Sequence, residues 1–290
     1  MNRLGIYYAY WARNWSADFH PYIDKVADLG FDQLEVHAGA VAAMNSAERR
    51  ELKQHAESRG LTLSYCIGLT HSYDVASADA ATRATGIAFL EQIIGAIGEI
   101  GGGSVGGILY GAWPASMPEG MPDKRPALER SIASIRQVAH AAEDSGVILN
   151  LEVVNRFEQY LLNTSAEAIE YVRAVGSPNV RLMLDTFHLN IEEDHIGAAI
   201  IAAGELLGHF HTGENNRMPP GHGHMPWDEI AAALRHINYQ GAIVMEPFMQ
   251  TGGEVGRDIR VYRDLSIGRD LDAEARAALQ FTRDLLARHQ

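Results

Sequence analysis

Four residues in the second half of the chain could bind a metal or transfer protons, and all four lie in apolar stretches of sequence. Glu152, Asp185 and Glu246 interrupt or end apolar runs, and His211 ends a fourth run. A buried carboxylate is costly unless it is paired, hydrogen-bonded or bound to a metal. Each acid taken alone is explained equally well by a buried ion pair. Three acids and one imidazole at corresponding places in four successive runs favour a single shared site. Its oxygen-rich donors suit Mn²⁺, Mg²⁺ or Co²⁺ better than structural zinc.

These runs belong to a regular alternation of strand-like and helix-like segments. Amphipathic stretches with apolar residues three and four positions apart predict helices, for instance over 84–100, 127–144 and 272–289. Between such stretches lie short apolar segments typical of strands buried on both faces. There are eight of these, at 4–10, 33–37, 61–67, 105–109, 148–154, 180–185, 207–211 and 242–246.

Eight strand–helix units without a linker-like stretch predict an α/β fold, a single (β/α)8 TIM barrel over residues 1–290. The alternative is a doubly wound open sheet. No G-x-G-x-x-G motif follows a strand, however, and the three glycines at 101–103 precede one. Catalytic groups of TIM barrels lie at the C-terminal ends of the strands. The three acids and the histidine therefore converge on one point only if the barrel closes.

Further histidines compete for a role in the same region. His209 and His211 are two residues apart on the seventh strand, so both point to the same side of it. Either could face the barrel interior, and His211 is favoured because it lies nearer the C-terminal end of the strand. His222 and His224 resemble a second metal motif, but they lie in a Pro/Gly-rich segment with no acid before Asp228. That setting predicts a solvent-exposed loop.

Composition excludes several classes of function. The 290 residues include 24 Lys+Arg and 37 Asp+Glu, which gives a net charge of −13. This charge argues against a nucleic-acid partner and against an anionic membrane surface. The single cysteine, Cys66, excludes an intramolecular disulfide and a cysteine-based zinc site. The first residues lack the apolar run of a signal peptide, and no apolar stretch is long enough to span a bilayer. We therefore expect a cytoplasmic protein.

Several long motifs resemble those of the ketose 3-epimerases, the group of D-tagatose 3-epimerase and D-allulose (D-psicose) 3-epimerase. The similarity runs over essentially the whole chain and implies the xylose-isomerase-like form of the TIM barrel. The motifs that carry it are LEVVNRFEQ at 151–159, LDTFHLNIEE at 184–193, GHFH at 208–211, GENNR at 213–217 and MEPF at 245–248, with AWP at 112–114 and DKRP at 123–126.

The resemblance implies a role for each residue of the site. A metal, usually Mn²⁺ or Co²⁺, would be held by Glu152, Asp185, His211 and Glu246, and Glu152 and Glu246 would also be the two catalytic acid–base groups. A homodimer or homotetramer is implied as well. The substrate's O1–O3 end would be held by Glu158, His188 and Arg217, and the rest of the pocket would be lined by Tyr7, Cys66, Ile108, Trp113 and Phe248.

The implied reaction is inversion of a free ketose at C3, for example D-fructose to D-allulose, D-tagatose to D-sorbose or L-ribulose to L-xylulose. A proton leaves the carbon next to the C2 carbonyl and returns on the opposite face, through a metal-bound cis-enediolate. The main alternative is an aldose–ketose or hydroxypyruvate-type isomerase, whose enediolate spans C1–C2. A barrel endonuclease acting at abasic DNA sites and a non-catalytic sugar-binding protein are weaker alternatives. Tyr7, His37 and the His222/His224 loop depart from the family pattern, which leaves the preferred ketose open.

Overall fold

The protein forms a closed barrel of eight parallel strands surrounded by helices, as expected from the alternation of segments. The computed structural model describes residues 2–289. Each strand pairs with the next in parallel, and β8 pairs with β1 to close the ring. The strands are β1 (Leu4–Tyr7), β2 (Gln33–His37), β3 (Thr62–Cys66), β4 (Gly103–Gly107), β5 (Val147–Val153), β6 (Val180–Asp185), β7 (Leu207–Thr212) and β8 (Ile243–Met245).

Helices cover the outside of the barrel and bury its outward-facing apolar residues. None of the helices within residues 2–289 is long and apolar enough to cross a membrane. The helices are α1 (His20–Leu29), α2 (Ala38–Ala43), α3 (Ser46–Ser58), α4 (Ala80–Glu99), α5 (Arg125–Asp144), α6 (Ser165–Val175), α7 (Thr186–Glu192), α8 (Ile196–Ala203), α9 (Trp227–His236), α10 (Gly253–Asp258) and α11 (Leu271–Arg288).

Two strands, β1 and β4, have boundaries that differ by more than one residue from the sequence-based prediction. The first strand ends at Tyr7, because Tyr8–Tyr10 turn into a 3-10 helix whose side chains are buried. An apolar aromatic run does not distinguish these two conformations. The fourth strand begins at Gly103, two residues earlier than predicted, since this glycine (φ 144°) enters the strand directly from the turn at Gly101 and Gly102.

An irregularity in β7 decides which of its residues face the barrel interior. Leu207 is opposite Leu182, but His209 is opposite Met183, so Gly208 is an extra residue in the strand. Such a bulge shifts the alternation of side chains by one position. His209 and His211 consequently face the interior together with Met183 and Asp185. A methyl group at Gly208 would overlap the side-chain oxygen of Asn150, so only glycine fits here.

Two glycines of α4 differ in how closely neighbouring residues pack against them. Gly86 is buried, and a methyl group there would overlap the carbonyl oxygen of Tyr73, whereas Gly95 has open space around it. We expect Gly86→Ala to destabilise the protein by about 2 kcal/mol through overpacking. Gly95→Ala should instead stabilise it by about 0.5–1 kcal/mol, because alanine favours a helix over glycine. Thermal melts should show a lower melting temperature for Gly86→Ala and a higher one for Gly95→Ala. Equal changes in melting temperature would contradict the packing argument.

Candidate active site

The structure brings the four predicted metal ligands together at the C-terminal end of the barrel. One carboxylate oxygen each from Glu152, Asp185 and Glu246 and one ring nitrogen of His211 lie within 4.8 Å of one another. All four residues are buried, with exposed fractions of 0–7%. They come from β5, β6 and β7 and from the position directly after β8. Strand ends that are distant in sequence thus supply one compact donor set.

His211 presents an unpartnered nitrogen to this cluster. Its Nε2 lies 2.5 Å from Oε1 of Glu35. Its Nδ1 is buried without a hydrogen-bond partner among the described residues, and it lies 3.6 Å from Oε1 of Glu246. A buried nitrogen without a partner is uncommon in proteins. The donor set therefore fits a bound divalent cation, with Nδ1 as the imidazole ligand.

Arg217 reaches into the cluster from the loop after β7. Its Nη1 donates to Oδ2 of Asp185 at 3.0 Å and to Oε2 of Glu246 at 3.1 Å. The guanidinium carbon lies 3.9 Å from the ring centre of Phe187 and 5.4 Å from that of Phe248. The backbone φ of Arg217 is +64°, a conformation uncommon for a residue with a side chain. Strain of this kind is concentrated at functional sites.

His188 and Glu158 form a second polar group beside the acids. The ring nitrogen Nδ1 of His188 accepts the backbone amide of Asn155 at 3.2 Å, and its Nε2 lies 3.3 Å from Nη2 of Arg217. Nε2 of His188 is 3.8 Å from carboxylate oxygens of both Glu152 and Asp185. Glu158 accepts hydrogen bonds from the indole of Trp113 at 3.0 Å and from the side chain of Asn155 at 3.1 Å. These contacts hold two polar side chains in fixed orientations.

Burial and like charge act together on the acids of the cluster. Burial, followed by the nearby Glu246 carboxylate, raises the pKa of Glu152 well above its usual value. Burial also opposes ionisation of Glu158, but His188 and Arg217 outweigh it and hold the pKa of Glu158 below the usual value. Four carboxylates therefore surround a single guanidinium. Such an excess of negative charge in a buried space favours a cation.

A cavity of about 450 Å³ opens directly above these residues. Its volume lies in the range that accommodates a small organic molecule. Aromatic rings form much of its wall, with Trp15 6.3 Å from Trp113 and 6.5 Å from Phe248 between ring centres. All eight predicted substrate-binding residues line it, together with both predicted acid–base residues: Tyr7, Cys66, Ile108, Trp113, Glu152, Glu158, His188, Arg217, Glu246 and Phe248.

The remaining residues singled out in the sequence behave in different ways. Cys66 is a buried free thiol in the cavity wall, and burial raises its pKa well above the usual value, which disfavours a nucleophilic role. His37 also lines the cavity, and its Nδ1 accepts the amide of Ala40 at the start of α2. His222 and His224 are exposed, as predicted, and His222 lies 3.0 Å from Glu274.

The sequence analysis did not identify Glu35 as part of the site. This acid lies in the middle of β2, is fully buried and contacts both His209 and His211. The signal was weak, because the strand reads Gln-Leu-Glu-Val-His over 33–37, and Glu35 alternates there with Leu34 and Val36 as a residue on a polar strand face would. Trp15 was also missed, since it lies in a polar segment without any periodic pattern.

Comparison with known proteins identifies the family. The family model described as "Xylose isomerase-like TIM barrel" matches residues 23–285. The D-psicose 3-epimerase of Agrobacterium fabrum is 48% identical over 285 residues, which cover 97% of this chain and 98% of that protein. The chain belongs to the ketose 3-epimerase family. Another member, the L-ribulose 3-epimerase of Methylomonas sp., is 32% identical over 277 residues, or 93% of each chain.

A solved structure of a ketose 3-epimerase has the same fold throughout. The crystal structure of D-psicose 3-epimerase with D-tagatose from Clostridium cellulolyticum H10 matches with a TM-score of 0.95 at 47% identity, covering 98% of this chain and 99% of that one. The predicted fold and family are thereby confirmed. The predicted activity is confirmed as well: the chain described here is an isomerase that epimerises a ketose at C3.

Proposed function

We propose that this ketose 3-epimerase inverts C3 of free ketoses with the help of a divalent cation. Mn²⁺ is the preferred cation, and Co²⁺ and Mg²⁺ are the alternatives. The whole chain is proposed to form one catalytic domain. The cation would be held by Glu152, Asp185, His211 and Glu246. The observation that carries this proposal is the unpartnered Nδ1 of His211 among three converging carboxylates. A bound divalent cation would polarise the C2 carbonyl of the ketose and offset the negative charge that develops as the C3 proton leaves.

Glu152 and Glu246 are the proposed acid–base pair. Both line the cavity, and they come from strands that are three positions apart in the ring. Two carboxylates on different sides of C3 allow one to remove the proton and the other to return a proton on the opposite face. Ordinary carboxylates are weak bases, so removal of the C3 proton would depend on the polarisation of the C2 carbonyl that the cation supplies.

Glu158, His188 and Arg217 are the proposed ligands of the O1–O3 end of the ketose. The guanidinium of Arg217 can donate to ketose oxygens, the ring of His188 can hydrogen-bond a hydroxyl through Nε2, and Glu158 can accept from a hydroxyl. Their fixed hydrogen bonds to Asn155, Trp113 and the acids orient them before substrate binds. The rest of the ketose would lie against Tyr7, Cys66, Ile108, Trp113 and Phe248.

Solvent deuterium distinguishes this reaction from the alternative isomerisation. Incubation with D-fructose in D₂O and Mn²⁺ should place deuterium at C3 of both D-fructose and its C3 epimer, because the proton passes through groups that exchange with solvent. NMR of the recovered sugars locates the label. Deuterium at C1 without label at C3 would contradict the proposal and favour a C1–C2 enediolate.

The other expectations from the sequence remain predictions. A small ketose is the expected partner, and the net charge of −13 disfavours nucleic acid and anionic membranes. A cytoplasmic location and a homodimer or homotetramer are likewise predicted. Sedimentation analysis of the purified chain would distinguish the two assemblies.

A further inference from the structure

Glu35 is a fully buried carboxylate that the proposed reaction does not use. It lies at the centre of β2 with an exposed fraction of 0%. A carboxylate in such a position needs several polar partners to offset the loss of hydration. Its partners come from two other strands, β3 and β7, on different sides of the barrel interior.

The two oxygens of Glu35 have separate partners. Oε1 lies 2.5 Å from Nε2 of His211. Oε2 accepts the hydroxyl of Ser64 at 2.8 Å, and Ser64 in turn accepts the side-chain amide of Gln33 at 2.7 Å. Nε2 of His209 is 2.9 Å from Oε2 but lacks the alignment of a hydrogen bond. Oε1 thus interacts with His211, while Oε2 is held in place by the other groups.

The contact with Glu35 determines which ring nitrogen of His211 carries a proton and which can bind a cation. A carboxylate can only accept, so the hydrogen bond at 2.5 Å requires the proton of the His211 ring on Nε2. When the ring is neutral, as in a metal ligand, its lone pair then lies on Nδ1, the atom without a hydrogen-bond partner that is 3.6 Å from Oε1 of Glu246. A ligating histidine needs this protonation state, and a carboxylate on the second nitrogen raises its strength as a ligand.

We propose that Glu35 is a positioning residue that sets the tautomer and orientation of His211 and thereby the affinity of the site for its divalent cation. This inference rests on the proposed function, since it concerns the same cation. Glu35 reaches the cation only through His211. Its loss should therefore change cation affinity more than the chemistry at saturating cation.

Glu35→Gln tests the proposal, because it keeps the shape of the side chain and removes its charge. We expect the Kd for Mn²⁺ of the chelator-stripped protein, measured by EPR of free Mn²⁺, to rise about 10–100-fold. At saturating Mn²⁺, kcat should return to within about tenfold of the wild-type value. The matched control is Ser64→Ala, which removes a partner of Oε2 and leaves Oε1 in contact with His211; its Kd should stay within about threefold of wild type.

Three results would contradict this proposal in distinguishable ways. An unchanged Kd in Glu35→Gln, with normal Mn²⁺ binding by the wild type, would overturn the role of Glu35 alone. An equal rise in Ser64→Ala would also overturn it, because a general loosening of the network would then suffice. If the wild type bound no Mn²⁺, the proposed function would fail together with this inference.

A measurement on the unmodified chain covers the case in which Glu35→Gln does not fold. NMR of ¹⁵N-histidine-labelled protein with bound Mg²⁺ reports which ring nitrogen carries the proton, and His211→Asn assigns the signal. We expect the His211 proton on Nε2. A proton on Nδ1 in the Mg²⁺-bound protein would overturn the proposal.

Discussion

Glu246→Gln is expected to lower kcat by about 1,000-fold, the largest effect of any single substitution proposed for this chain. The variant keeps the shape of the side chain and one oxygen, so it can still accept from Arg217, which lies 3.1 Å from Oε2 in the structure. It cannot accept a proton from C3 or return one. Steady-state kinetics with D-fructose measures the loss, and fluorescence of Trp15 and Trp113 in the cavity wall reports whether ketose still binds.

Isotope exchange separates the two acid–base residues. Each C3 epimer presents its proton to a different carboxylate, so Glu246→Gln should exchange the C3 proton of one epimer with D₂O and not that of the other. Glu152→Gln should show the opposite preference. NMR of both sugars after incubation at saturating Mn²⁺ gives the two exchange rates. Loss of exchange from both epimers in both variants would contradict the assignment of one acid to each face.

Two controls isolate proton transfer from other effects. Glu170 is an exposed acid on α6, remote from the cavity lining, and Glu170→Gln should leave kcat unchanged. The bound Mn²⁺ of Glu246→Gln should be measured as well, because the residue is also a proposed ligand. If excess Mn²⁺ restored full activity to this variant, Glu246 would be a ligand and not an acid or base.

Removal of divalent cations is expected to abolish activity and to lower the melting temperature. Without a cation, two of the three acids of the donor set, Asp185 and Glu246, share the single guanidinium of Arg217. Adding Mn²⁺ at about 100 times its Kd should stabilise the folded chain by about 2.7 kcal/mol. For a protein of this size that corresponds to a rise of roughly 4–5 °C in the melting temperature. Scanning fluorimetry of the chelator-treated protein with and without Mn²⁺ measures the difference.

Matched variants show whether the rise in melting temperature with Mn²⁺ depends on the four proposed ligands. Asp185→Asn should lose most of the rise in melting temperature, because it removes a charged ligand from a buried donor set. His224→Ala should keep the full rise, since His224 is exposed in a loop away from the site. Full activity in cation-free protein would rule out the proposed metal dependence. Loss of the rise in His224→Ala would move the site to the His222/His224 loop.

Local sequence patterns were sufficient to predict the fold and to single out the residues that form the buried cluster of Glu152, Asp185, His211 and Glu246. Alternation of apolar strands and amphipathic helices is a local pattern, and a closed barrel of parallel strands follows from it. Polar residues such as Glu152 and Asp185 stand out because burial of an acid in an apolar strand needs a reason. Closure then places the C-terminal strand ends at one mouth, so their convergence could be anticipated before the structure.

The contacts that hold these side chains in place arise only when the barrel is folded. Glu35 and His211 are 176 residues apart, and no local pattern states that β2 and β7 meet across the interior. The extra residue Gly208 determines which residues of β7 face the barrel interior. A single bulge of this kind is not visible in the hydrophobic periodicity of the sequence. Arg217 enters the cluster from a loop through a left-handed backbone conformation. Side-chain alternation is a property of each strand, whereas contacts across a barrel depend on its closure and stagger.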